Sequence, residues 1–286
     1  DIEPLIDGRT KAVYLENLGN PAFNVPDYEP IIEMAHRRGV CVMVDNTFGC
    51  GGYLFRPIEW GANVVIHSAT KWICGHGTSL GGVVVDGGNF EWSEEKYPLL
   101  AAPAESYHGL VYKEVFGNAA FAGRVRVDGL RNFGPSASPF NSFLMLQGLE
   151  TLSLRAQRCC DNTLALAQWL EGHEAIESVN YPGLKSNPYH TLACKYLQHG
   201  FGGVLTFRVK SGFEGAAELV SKLELILHVG SVGDSKSLIV HPASTTHSQL
   251  SESERVAAGV YPNMLRLSVG IENIDDLIYD LDNALK

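Results

Sequence analysis

Two short, unbroken apolar runs, VCVMVDN at 40–46 and NVVIHS at 63–68, constrain the fold most. A half-wet strand alternates apolar and polar residues. A run that stays apolar for several positions suits a strand covered on both faces, the situation inside a mostly parallel sheet. LGGVVVD at 80–86 reads as another strand, and KAVYLE at 11–16 as an earlier one that ends in an acid and enters the Asn-, Gly- and Pro-rich loop NLGNPAFNVPD. Between them, residues 28–38 place Ile31, Ile32, Met34 and Ala35 on a helix, with Asp27 as its predicted cap and Gly39 as its stop. Strand, helix and strand in alternation predict an α/β fold with a mostly parallel sheet.

Past residue 90 the pattern loosens. FEWSEEKYPLLAAPAESYHG has no clear period and reads as a long surface excursion. From Phe140 to about residue 172 apolar residues recur at i, i+3 and i+4 over a length that suits one long helix or two abutting ones, a bridge between domains. Beyond it AIESVNY, GGVLTFRV, KSLIVH and MLRLSVG read as strands, alternating with helices near 212–225, 251–258 and 273–285. The expected organisation is a large domain over 1–150 and a smaller α/β domain over 151–286.

The formal charge of −10, with no basic run interleaved with aromatics, argues against nucleic acid as a partner. No apolar stretch has the length of a membrane span and none reads as a signal peptide. The six cysteines include the adjacent pair Cys159 and Cys160 and no C-x-x-C, so reduced thiols in the cytoplasm are expected. Cys74, His67 and His76 are the one local group that invites a zinc reading, and their spacing matches no usual structural zinc site.

In open α/β sheets ligands gather at the carboxyl ends of the strands. Two such ends carry unusual residues. Asp45 emerges from VCVMV; Ser68, Thr70 and Lys71 emerge from NVVI in HSATKWICGHG. A half-buried lysine can have a depressed pKa and act as an amine nucleophile toward a carbonyl. Hydroxyls on the same turn can donate to phosphate, and a carboxylate can keep a pyridine nitrogen protonated. Taken singly, Lys71 also fits a solvated charge and Asp45 a turn residue. Together the four point to pyridoxal 5'-phosphate. A nicotinamide cofactor has no support, because no G-x-G-x-x-G follows a strand and opens a helix.

ENLGNP at 16–21, VDNTF at 44–48, HSATKW at 67–72, GHG at 75–77 and LRLSVGIE at 265–272 closely resemble the Cys/Met-metabolism group of pyridoxal-phosphate enzymes. VDNTFGCGGYLFRPIEWGA, GHGTSLGG, LQGLETLSLR, SVGDSKSLI and HPASTTH look most like the O-acetylhomoserine sulfhydrylases within that group. The resemblance runs over essentially the whole chain and implies a fold type I transferase. It further implies that Lys71 carries the cofactor, that Asp45 meets the pyridine nitrogen, and that Ser68 and Thr70 hold the phosphate. Asn20 would approach the cofactor's phenolic oxygen and the substrate carboxylate. Arg266 would clamp that carboxylate, Ser231 would help through its backbone, and Thr47 would pack against the ring. The remaining histidines are expected to be structural or at the surface.

The implied reaction is γ-replacement on an O-acetylhomoserine-type amino acid by sulfide, a thiol or a carbon nucleophile, in a dimer or tetramer. Rival readings are a cystathionine γ-synthase or γ-lyase of the same group, disfavoured by GHGTSLGG and HPASTTH, and a catalytically silent oligomerisation partner, disfavoured by the joint presence of Lys71, Asp45 and Arg266. The chain resembles the C-terminal two-thirds of such an enzyme. The block expected upstream, with a ring-stacking aromatic residue and further phosphate ligands, is not found here. An accompanying N-terminal segment is therefore expected, as a separate chain or otherwise.

Overall fold

A computed structural model describes residues 2–286. The first sheet has the order β1 (Ala12–Glu16), β2 (Cys41–Asp45), β3 (Val64–Ser68) and β4 (Gly82–Asp86). The first three strands are parallel and β4 is antiparallel to β3. The return to β4 is a Gly-rich turn with no crossover helix, and an antiparallel neighbour is what so short a link permits. As an edge strand β4 leaves Val83, Val84 and Val85 partly exposed.

The apolar runs in β2 and β3 are explained by cover on both faces. Val42 and Val44 pack with Ile32 and Ala35 of α1 (Tyr28–Arg37), and Gly39 closes that helix at φ +62°. Each fully buried side chain of this kind is worth about 1.5–3 kcal/mol. On the opposite face Cys41 and Val64 join Trp92, Tyr97, Leu100 and Tyr112 in a second cluster. Residues 90–109 are therefore not a surface excursion. They hold the short helix α2 (Pro98–Ala101), and the Tyr97 hydroxyl accepts from Cys41 N–H at 2.9 Å while lying 2.9 Å from the Lys11 carbonyl. No periodicity marks this segment because single aromatics on irregular backbone do the packing. Short helices α3 (Tyr112–Phe116), α4 (Ala120–Arg124) and α5 (Arg131–Phe133), which the sequence did not predict, follow it.

The periodic stretch from Phe140 resolves into two abutting helices, α6 (Pro139–Glu150) and α7 (Leu152–Glu171). The stripe of α7 serves both cores: Leu152, Ala156 and Cys160 pack under the first sheet, and Leu166, Ala167 and Leu170 against the second. That second sheet has the order β5-β6-β9-β8-β7, formed by β5 (Ile176–Asn180), β6 (Val204–Val209), β7 (Leu227–His228), β8 (Leu238–Val240) and β9 (Met264–Ser268). Every pairing in it is antiparallel except β7 with β8. α8 (His190–Tyr196), α9 (Gly212–Lys222), α10 (Glu252–Ala257) and α11 (Ile274–Leu285) complete the chain. Asn273 caps α11 by accepting from Asp275 N–H, which leaves Leu277, Leu281 and Ala284 on its buried stripe.

Asp27 stands at the start of α1, but its carboxylate does not cap the helix. It accepts from the Tyr196 hydroxyl and from Lys195 Nζ, tying α1 to α8. All six cysteines are unpaired. Among the described residues no helix is long and apolar enough to cross a membrane.

Candidate active site

Glu16, Asp45 and Ser68 are the last residues of β1, β2 and β3, so the parallel register sets them side by side at the carboxyl edge of the sheet. A cavity of about 280 Å³ opens there, lined by those three residues, Asn20, Thr47, Phe48, Lys71, Ser231, Val232 and Arg266. Seven of the eight residues predicted for the site line it; Thr70 does not. A larger, mostly apolar cavity of about 790 Å³ lies on another face, around Met43, Trp92 and Phe121. Its lining includes Lys11, Lys96, Arg124 and Asp128 but none of the residues predicted for the site, which the smaller cavity gathers.

Asp45 is oriented by a short relay. Ser68 N–H donates to the Thr47 hydroxyl at 2.9 Å, so that hydroxyl's own proton goes to Asp45 Oδ1 at 2.6 Å, where Thr47 N–H also donates at 2.9 Å. The second oxygen, Oδ2, receives only the Tyr14 hydroxyl at 3.4 Å and keeps acceptor capacity toward the cavity. Burial, with the charges of Asp45 and Glu16, pushes Tyr14 above the usual tyrosine range. Thr47 thus holds the Asp45 carboxylate, a role the sequence did not suggest.

Lys71 sits on a helical turn directly after β3, closed by Cys74 N–H to Ala69 O at 2.9 Å and Gly75 N–H to Lys71 O at 2.7 Å. Its Nζ donates to the Ser231 side-chain oxygen at 2.8 Å, a contact of the hydroxyl that the sequence did not suggest. Burial and the nearby Arg266 cation together hold Lys71 below the ordinary 10.5 for lysine, which favours the neutral, nucleophilic amine. Thr70 is not part of the cavity lining; its hydroxyl accepts from Gly81 N–H at 3.1 Å and lies 3.3 Å from Gly81 O, pinning the return to β4.

Arg266 reaches across from the middle of the second sheet, flanked in register by Thr206 and Val240. It is 8% exposed, and Nη1 donates to Asn20 Oδ1 at 3.2 Å, while Asn20 N–H donates to Glu16 Oε2 at 3.0 Å. Among the described residues no carboxylate lies within ion-pair distance of Arg266 or Lys71. Desolvating a guanidinium without an anion is costly, so the arrangement favours an anionic ligand. His67 is buried with Nδ1 unpartnered, and burial lowers its pKa; it does not line the cavity. Among the described residues no group of three or more His, Cys, Asp or Glu side chains could hold a metal ion.

Sequence reasoning missed Glu16, Tyr14 and Phe48. The strand-end argument that singled out Asp45 applies equally to Glu16 in KAVYLE, and Tyr14 lies two residues earlier on the same face.

An amine nucleophile on a strand-end turn, a carboxylate with one oxygen fixed and one facing the cavity, and a hydroxyl at the next strand end fit the aldehyde, ring nitrogen and phosphate of pyridoxal 5'-phosphate. The fold and site define an enzyme that uses this cofactor. The chain belongs to the Cys/Met metabolism PLP-dependent enzyme family, whose profile matches residues 1–286. It is 52% identical over 98% of its length to an O-acetyl-L-homoserine sulfhydrylase 1 of Thermus thermophilus, covering 67% of that protein. It is 50% identical over its whole length to a homocysteine/cysteine synthase of Saccharomyces cerevisiae, again covering 67%. A solved structure of a putative O-acetylhomoserine (thiol)-lyase from Campylobacter jejuni, containing N'-pyridoxyl-lysine-5'-monophosphate, superposes with a TM-score of 0.95 at 41% identity, over 99% of this chain and 68% of that one. The chain spans about two thirds of these relatives.

Proposed function

We propose that the enzyme replaces the acetate of O-acetyl-L-homoserine with sulfide, releasing acetate and forming homocysteine. The observation that carries this reading is the buried Arg266, without an anionic partner, facing Lys71 across one cavity: an α-carboxylate and an α-amine would reach the two together. The names borne by the relatives support the choice of acetylated homoserine and sulfide.

When bound, pyridoxal phosphate supplies an aldehyde that captures amines and a ring that accepts the electron pair left at a deprotonated carbon. Lys71 is the amine that would hold it, Asp45 Oδ2 would keep its ring nitrogen protonated, and Ser68 would donate to its phosphate. Arg266 and Asn20 bind and orient the substrate carboxylate, leaving the side chain and its acetyl group free. Lys71, released by exchange with the substrate amine, moves protons at Cα and Cβ; burial and the Arg266 cation lower its pKa, which favours the free-base form that takes up a proton. Ser231 gives Nζ a fixed resting place, and Phe48 and Val232 exclude water. The C–O bond at Cγ breaks with its electron pair leaving on acetate, and the sulfur of sulfide forms the new bond there.

The lining holds few phosphate donors, with Ser68 the clearest and both cations assigned above to the aldehyde and the substrate carboxylate. We therefore assign the remaining donors to an N-terminal segment, carried on the same chain or a separate one, that seats against the free edge of β1 and the apolar cavity around Met43. α6 exposes Phe140, Phe143, Leu146 and Leu149, which supports a homo-oligomer with this helix at the contact. We place the boundary between the two structural units at 150/151, between α6 and α7.

The test is product analysis: the enzyme with O-acetylhomoserine and sulfide should yield acetate and homocysteine in equal amounts. Cystathionine formed faster with cysteine than homocysteine with sulfide would sink the assignment.

A further inference from the structure

Arg155 lies in the first turns of α7, 6% exposed, with no carboxylate within ion-pair distance among the described residues. Each of its three nitrogens donates to a neutral oxygen. Nη1 donates to the Trp72 carbonyl at 3.0 Å, Nη2 to the Gly148 carbonyl at 2.6 Å, and Nε to the Thr151 hydroxyl at 3.1 Å. Trp72 directly follows Lys71 on the turn 69–75, and Gly148 stands at the C-terminal end of α6. The Gly148 carbonyl belongs to the C-terminal end of a helix, where the last C=O groups lack intrahelical partners and carry partial negative charge, and the Trp72 carbonyl to the turn that bears Lys71; a buried cation between them bonds both.

The surroundings leave this contact no slack. A Cβ on Gly75 would fall 2.0 Å from Arg155 Nη1, and one on Gly148 would fall 2.3 Å from the Ile73 carbonyl and 2.4 Å from that of Cys74. The loop bearing Ser231 is fastened to the same turn, through Ser235 N–H to Gly75 O at 2.8 Å and through Gly233, whose Cβ would sit 2.7 Å from the Trp72 ring. Backbone therefore meets backbone around the lysine turn, with the guanidinium as the polar link. A residue that served only to fill space would not need to direct its donors at the peptide next to the nucleophile.

We infer that Arg155 is a positioning residue for Lys71: by gripping the Trp72 and Gly148 carbonyls it locks the turn 69–75 to the α6–α7 junction, so that Nζ is presented to the cavity and Ser231 from one fixed place. This rests on the reading of Lys71 as the working amine. Arg155 does not line the cavity, so its effect is on the placement of another side chain.

The test compares Arg155→Met and Arg155→Lys with the parent enzyme, both loaded and cofactor-free. In R155M kcat should fall about a hundredfold, the cost expected for a reacting group displaced by about 1 Å. KM for the amino acid should stay within about threefold, because Arg266 and Asn20 lie on other segments. In the cofactor-free protein, hydrogen exchange should accelerate at the Cys74 and Gly75 amides while amides of β6 and α11 keep their rates. R155K, with one donor group for two carbonyls, should recover part of both losses. If R155M does not fold, R155K alone decides, with a smaller kcat loss of about tenfold and the same local exchange pattern. Wild-type kcat and exchange in R155K, or a uniform rise in exchange across the whole protein, overturns the inference. A parent enzyme that fails to turn over O-acetylhomoserine would instead overturn the proposed function, and the exchange result in cofactor-free protein stands apart from that outcome.

Discussion

Replacing Arg266 with Met tests the substrate clamp. The guanidinium is buried in the middle of the second sheet, has no protein anion, and keeps donors free for a carboxylate after bonding Asn20. Hydrogen bonds between charged groups are worth about 1.5–3 kcal/mol each; after desolvation a two-pronged contact should leave about 3 kcal/mol. At 1.36 kcal/mol per tenfold, kcat/KM of R266M with O-acetylhomoserine should drop about a hundredfold. Methionine fills similar space, so thermal stability should change little beyond the loss of Asn20's donor. The informative assay pairs this variant with O-acetyl-3-aminopropanol, which lacks the α-carboxylate. The parent enzyme should disfavour that analogue by the same factor of about a hundred, and R266M should barely distinguish the two substrates. An R266M enzyme that discriminates as strongly as its parent would show that the carboxylate is held elsewhere, and would refute the reasoning.

Further expectations follow from the same contacts. The Arg266 cation is the second cause of the lowered Lys71 pKa, so R266M should also move the acid limb of the pH–rate profile to higher pH; an unmoved or more acidic limb counts against Lys71 as the titrating base. Because burial lowers the pKa of this lysine, its charged form is a burden on the fold at low pH that lifts as pH rises from the lowered value to the ordinary 10.5. Lys71→Met should therefore gain stability over the cofactor-free parent at neutral pH and lose that advantage toward pH 10.5, as read by denaturant midpoints. Asp280 accepts from the backbone N–H groups of Glu224, Leu225 and Ile226, and Asp280→Ala should cost about 2–4 kcal/mol in urea unfolding; a loss under about 1 kcal/mol would contradict the geometry. Tyr97→Phe strands the Cys41 N–H and should cost about 1–3 kcal/mol, whereas a truly superficial 90–109 segment would show no change.

What could be read from the chain tracks how local the physical cause is. β2 and β3 are legible because two-sided burial demands an apolar run, and Asp45, Ser68 and Lys71 because strand ends are where a sheet offers polar groups to ligands. Arg266 became legible only through the LRLSVG motif, since nothing in its neighbours says that its side chain crosses to Asn20, 246 residues away in sequence. The 90–109 segment was misread because Trp92, Tyr97 and Leu100 pack as single side chains without a period. The second role of Thr70 was hidden for a related reason: its hydroxyl bonds the backbone of Gly81, eleven residues on, and nothing in HSATKW announces that partner. Asp27 likewise looked like a cap, and the partner that claims it instead, Tyr196, lies 169 residues away.

The central claim is that Lys71 is the amine that carries the cofactor in this cavity. Borohydride reduction of the loaded enzyme, followed by digestion and mass spectrometry, tests it directly. The reduced phosphopyridoxyl group should be found on Lys71, within the peptide containing HSATKW, and should be absent from the Lys71→Ala protein treated in the same way. A phosphopyridoxyl group on another lysine, with Lys71 unmodified, would contradict it.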